Sequence, residues 1–122
     1  MGMYVAPCKA TDERETPDEL FQRLNKEFRF TLDVCASHEN HKTPRYFTKD
    51  DDALTYSWRG DICWMNPPYS KTSIWMEKAF KEARNGATVV CLVPSATDTK
   101  WWHNIAVNGE IRFLMGHWIF VL

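Results

Sequence analysis

A chain of 122 residues with 44% hydrophobic and 25% charged content has room for one domain with a real core, and for little else. No apolar run reaches the length of a membrane span and no signal-peptide pattern opens the chain, so a cytoplasmic protein is the default. A formal net charge of −1 argues against a stand-alone, non-specific nucleic-acid binder held by a basic excess, and leaves room for a local basic face.

Met1 to Glu15 is polar and irregular and reads as an arm, with residues 16–122 as the domain. Thr16-Pro17-Asp18-Glu19 is a helix-start signal, with Thr as N-cap, Pro at the first helical position and acids in the first turn. Leu20, Phe21, Leu24 and Phe28 then share one helical face, which predicts an amphipathic helix over Pro17 to Glu27. Phe30 to Ala36 reads as a buried strand ending in Asp33 and small residues. Ser37 to Pro44 is turn-rich, and Arg45-Tyr46-Phe47-Thr48 is a second short strand. Lys49 to Leu54 is an acidic turn, with Trp58 just beyond it.

Asp61 to Met65 reads as the strand that feeds Asn66-Pro67-Pro68-Tyr69. Two adjacent prolines remove two backbone donors and fix two φ angles, so a strand must stop there. Ile74 to Arg84 is helical, stopped by Asn85-Gly86. The β-branched run Ala87 to Val93 suits a central parallel strand covered on both faces, and Pro94 ends it. A short helix is expected from Lys100 to Val107, closed at Asn108-Gly109. Two strands, Ile111 to Leu114 and Ile119 to Leu122, flank a turn at Gly116. An apolar terminus of Phe120-Val121-Leu122 reads as an abbreviated domain. Cys8, Cys35, Cys63 and Cys91 lack metal-ligand spacing and read as buried free thiols.

Strands alternating with helices predict an α/β domain with a mainly parallel sheet, whose ligands sit at the carboxyl ends of the strands. Asp33 to Ala36, Asn66 to Tyr69 and Pro94-Ser95 all fall on that edge. Asp33 offers a carboxylate to ligand hydroxyls or an ammonium, while Cys35 and Ala36 let a ligand approach the backbone. No glycine-rich phosphate loop accompanies them. The acidic turn reads either as a solvated loop or, through one of its acids, as an acceptor for a ligand amino group.

Asn66-Pro67-Pro68-Tyr69 reads either as a tight turn with a half-buried Tyr or as a grip on a planar, amino-bearing ligand. An amine conjugated to a ring is a poor nucleophile because its lone pair is delocalised. Two acceptors on its hydrogens, the Asn66 side-chain oxygen and the Pro67 carbonyl, would stabilise charge developing on attack, while Tyr69 stacks on the ring. Such chemistry needs no histidine, and none of His38, His41, His103 and His117 is given a catalytic part.

In their order, Thr16-Pro17, Asp33-Val34-Cys35-Ala36, Asp52-Ala53-Leu54, Trp58 and Asn66-Pro67-Pro68-Tyr69-Ser70 resemble phage-type DNA N6-adenine methyltransferases. So do Val93 to His103 and Glu110-Ile111-Arg112-Phe113 followed by Gly116. The resemblance implies a Rossmann-like methyltransferase fold, S-adenosylmethionine as donor, and an adenine flipped out of double-stranded DNA as acceptor. It places Thr16, Pro17, Asp33, Val34, Cys35, Ala36, Asp52 and Leu54 at the donor, and Asn66, Pro67, Pro68 and Tyr69 at the catalytic corner. Lys71, Lys100 and Arg112, with Lys78, are the expected phosphate contacts. Gly116-His117-Trp118 departs from the family's Gly-Arg-Leu, and no acid for the donor's ribose stands out between Ala36 and Asp50. Two other readings stay open: a protein glutamine N5-methyltransferase, and a fragment that binds the donor without turnover.

Overall fold

In the computed structural model, which describes residues 17–93 and 109–122, a five-stranded sheet lies between two helices. The elements run α1 (Asp18–Phe28), β1 (Leu32–Asp33), β2 (Ile62–Met65), α2 (Thr72–Arg84), β3 (Thr88–Val93), β4 (Glu110–Leu114) and β5 (His117–Val121). Thr16, Cys8, Pro94, Ser95, Lys100 and the helix expected over 100–107 lie outside the described residues.

Helix α1 begins one residue later than its sequence signal, with Pro17 in the cap position and its carbonyl accepting the Phe21 N–H at 3.1 Å. It ends at Arg29, whose positive φ of 57° lets its N–H reach the Asn25 carbonyl, while the Asn25 side chain accepts the Phe30 N–H at 2.9 Å. Leu20, Phe21 and Leu24 are buried with Phe30, Trp64, Val90, Leu92 and Ile119 on one face of the sheet. Each such aliphatic or aromatic side chain contributes about 1.5–3 kcal/mol by leaving water.

The opposite face packs Met76, Ala79 and Phe80 of α2 on Leu32, Cys63, Met65, Val89, Cys91, Val93 and Phe120. Alternate residues of β2 and β3 thus point into different cores, which is why the run through β3 is continuously apolar. Cys63 and Cys91 are buried free thiols, and burial pushes the Cys63 thiol up to about 12. Cys35 forms no disulfide and is half-buried.

The sheet order is β1-β2-β3-β5-β4. β1, β2 and β3 pair in parallel, whereas β5 is antiparallel to both β3 and β4. The mainly parallel expectation therefore holds for the first three strands and fails for the last two pairings. A two-residue turn joins β4 to β5, and so short a link permits only antiparallel neighbours. Four strands still point the same way, because β4 is twice reversed. The apolar run at Phe120 and Val121 is explained by β5 lying inside the sheet, with Leu122 exchanging backbone bonds with Val89.

Two expected strands shrink. Only Leu32–Asp33 remains of Phe30 to Ala36, and Arg45 to Thr48 contributes one parallel bridge, Asp33 to Tyr46. The chain bends away after Asp33 because the Asp33 carboxylate draws in the N–H groups of Cys35 and Lys42.

Helix α2 starts earlier than expected, at Thr72, after a single 3-10 turn over Tyr69–Lys71, and Gly86 follows it with φ 105°. Its Glu82 is buried and accepts the Trp58 backbone N–H at 2.7 Å and the Lys78 ammonium at 2.9 Å. Burial pushes the Glu82 carboxyl up, but those two partners together outweigh it and hold the group below its ordinary 4.5. The stabilisation is therefore present above that value and lost as pH falls through the lowered one. Glu82→Gln is expected to cost about 1–3 kcal/mol at neutral pH, a difference that shrinks in parallel urea titrations as pH falls below 4.5.

Candidate active site

Register puts the carboxyl ends of β1, β2 and β3 on one edge, since Asp33 pairs with Trp64 and Met65 with Cys91. From β1 the chain turns outward to the Tyr46 bridge, then crosses back to β2 on the other side of β1. That reversal is a topological switch point, the place where open α/β sheets leave a crevice for ligands. Asp33 to Ala36 lie at the end of β1 and Asn66 to Tyr69 follow β2, on either side of that switch point.

Asp33 is 3% exposed. Its Oδ1 accepts the Cys35 N–H at 3.2 Å and its Oδ2 the Lys42 N–H at 2.9 Å. Burial raises its pKa, opposed by those two N–H groups and by the charges of Lys42 and His41. The fold therefore tolerates the ionised form at a cost that grows as pH rises through the raised value. The sequence offered this carboxylate to a ligand, whereas the structure has it shaping the loop of Cys35 and Ala36, while the Val34 side chain is buried in the core beneath α2. Each oxygen keeps a second lone-pair direction.

Lys42 is a residue that sequence reasoning missed, since a backbone N–H reaching back nine positions leaves no pattern. Its ammonium pairs with Asp18 at 3.3 Å, which ties the loop to the start of α1 beside Pro17. Asp33→Ala would strand two N–H groups, so it is expected to cost about 2–4 kcal/mol in urea denaturation.

The proline corner is fixed from behind. The Pro68 carbonyl accepts the Lys71 N–H at 3.1 Å, and the Tyr69 carbonyl accepts the Thr72 hydroxyl at 3.0 Å. Pro67 is buried, while Asn66, Pro68 and Tyr69 are half-buried, and Lys71 is exposed beside them.

Asp52 and Leu54 lie on the connection from the Tyr46 bridge to β2. Asp52 is exposed with a φ of 55°, Leu54 is half-buried, and Asp51 rather than Asp52 caps the Thr48 N–H, at 2.8 Å. Trp58 sits below, fully buried, with its indole N–H on the Ala53 carbonyl at 3.1 Å.

Two of the expected phosphate contacts are spent within the molecule. Arg112 forks onto Glu27 at 2.7 and 2.8 Å, contacts Glu110 and lies over the Phe28 ring. Lys78 holds Glu82 and the Tyr56 carbonyl. Among the described residues, Lys71 is the expected contact that stays exposed, next to the proline corner.

A family model described as DNA N-6-adenine-methyltransferase (Dam) matches residues 5–121. The DNA N-6-adenine-methyltransferase of Haemophilus phage HP1 (strain HP1c1) is 36% identical over 98 residues, which are 78% of this chain and 57% of the relative. The DNA N-6-adenine-methyltransferase of Escherichia phage T1 is 28% identical over 105 residues, 84% of this chain and 44% of the relative. The chain thus spans about half the length of these curated relatives.

Proposed function

The chain belongs to the DNA N-6-adenine-methyltransferase (Dam) family, and on that footing we propose that it methylates N6 of an adenine flipped out of double-stranded DNA. The observation that carries this reading is the shared switch point. Asp33 to Ala36 and Asn66 to Tyr69 flank it, so a donor held by the first segment faces an acceptor held by the second. We read residues 16–122 as a Rossmann-like methyltransferase domain, preceded by an arm.

The site suits S-adenosylmethionine. The small side chains of Cys35 and Ala36 permit close approach to the backbone, and the Asp33 loop is shaped without a glycine-rich phosphate cradle, as a donor lacking phosphates requires. Thr16, Pro17, Asp33, Val34, Cys35, Ala36, Asp52 and Leu54 would hold it. When bound, it supplies a methyl group on a sulfonium, ready for displacement by a nucleophile.

The corner makes the adenine amine that nucleophile. Asn66 Oδ1 and the Pro67 carbonyl accept the two N6 hydrogens, which pulls the nitrogen out of conjugation and stabilises positive charge building on it. Pro68 keeps the turn stiff, its carbonyl held by Lys71 and Thr72. Tyr69 stacks on the base and keeps the amine in line. The proton shed by the alkylated amine passes to water. Lys71, with Lys100, contacts the DNA phosphates, while Arg112 is tied to Glu27 and Glu110.

The test is incubation of the purified chain with methyl-labelled donor and, in parallel, duplex DNA or a glutamine-bearing protein factor, alongside calorimetric donor binding. Label in DNA supports the reading. Label in the protein factor moves it to glutamine, and donor binding without transfer to either makes the chain a binding fragment. Within the same experiment, Tyr69→Phe is expected to keep transfer within roughly threefold and Tyr69→Ala to lose about tenfold or more, because stacking needs the ring and not the hydroxyl.

A further inference from the structure

Register carries the β4–β5 turn to the same edge as the crevice. Val93, at the carboxyl end of β3, pairs with Trp118, and the hairpin closes beyond it through Leu114 and His117. Two strands separate β2 from β4, so at ~4.8 Å per strand the tip stands on the order of 10–15 Å from the proline corner.

The tip is built against its own stability. Met115 and Gly116 both have positive φ, 50° and 81°, as in the type I′ turns that favour Asn-Gly. A methionine in that conformation is strained, and this one is also 43% exposed. Beside it Phe113 is 57% exposed, its ring set edge-on against Trp118 at 4.8 Å. One residue below, Arg112 is clamped to Glu27 at the end of α1, so the hairpin is held at its base while its tip is apolar. Strain, exposure and a braced base together mark a feature presented to a partner.

We propose that the Met115 tip, backed by Phe113, is a wedge that enters the DNA base stack beside the extruded adenine. The inference rests on the DNA-methyltransferase reading. Extruding a base costs unstacking and unpairing energy, and apolar side chains such as Met and Phe are the ones that proteins insert between base steps. A flexible thioether adapts to the gap, and an aromatic ring offers a stacking face. Lys71, exposed at the corner, lies on the same edge for the phosphates.

Met115→Asn tests this without endangering the fold, since Asn suits the left-handed position better than Met. Single-turnover methylation is measured on a duplex with a paired adenine and on one whose adenine lies opposite an abasic site. The variant is expected to unfold at a temperature equal to or above that of the wild type. It should lose roughly tenfold on the paired adenine and less than about twofold on the unpaired one. Equal activity of both proteins on paired adenine overturns the wedge, and so does an equal loss on both substrates. A wild-type dimer that Met115→Asn dissolves would assign the tip to a second copy and overturn it as well. If the wild type transfers nothing to either DNA, the adenine-methyltransferase reading falls, and the wedge falls with it.

Discussion

Asn66→Ala is expected to lower methyl transfer to DNA by about 10²–10³-fold while donor affinity stays within roughly threefold of the wild type. The size follows from where the charge develops. Before attack, the adenine amine is neutral and planar, and an acceptor on its hydrogen gains little over water. As the new bond to carbon forms, the nitrogen becomes positive, and an acceptor on its hydrogen then gains far more than it does in the ground state. In the proposed role, the Asn66 oxygen is held by the stiff proline corner and accepts that charge with little reorganisation. The loss therefore falls on the chemical step and is read as a drop in the single-turnover rate at saturating DNA. Donor binding, proposed for the segment Asp33 to Ala36, serves as the control. A variant that binds donor and DNA normally and transfers at the wild-type rate would leave the corner as a turn.

Trp58→Ala is expected to cost about 3–5 kcal/mol, the largest stability loss of any single truncation named here. The indole is 0% exposed and packs with Trp75, ring centres 6.3 Å apart. The Lys78 ammonium lies 5.4 Å from its ring centre, and its N–H reaches the Ala53 carbonyl. Removing it empties the space between α2 and the 53–55 turn, and that turn follows Asp52. Donor affinity should fall together with the urea midpoint. Trp58→Phe keeps most of the volume and loses the indole bond, so about 1–2 kcal/mol is expected for it. Equal losses for the two variants would mean that the hydrogen bond, and not the packing, holds the segment.

The elements were legible where a local rule sufficed. Leu20, Phe21 and Leu24 recur at helical spacing, and α1 buries those three. The β-branched run through β3 and the prolines after β2 likewise announced a central strand and its neighbour's end. Strand pairing was less legible, because burial and pairing give the same apolar run. Val34 is buried like a strand residue, yet the ladder stops at Asp33. The tightest parts of the site depend on contacts distant in sequence. Lys42 reaching back to Asp33 and Glu82 reaching Trp58 leave no pattern, apart from the Lys78–Glu82 spacing on one helix face. Arg112 shows the converse: a cation that reads as free for phosphate in the sequence is paired once α1 and β4 meet.

The central claim is that the corner acts on the adenine amine of DNA, and nucleoside analysis reads that atom directly. Duplex DNA incubated with the chain and methyl-labelled S-adenosylmethionine is digested to nucleosides and resolved by mass spectrometry. Labelled N6-methyldeoxyadenosine, lowered about 10²–10³-fold with Asn66→Ala, is the result predicted. Label on cytosine, or none at all from a chain shown to bind both donor and DNA, would contradict it.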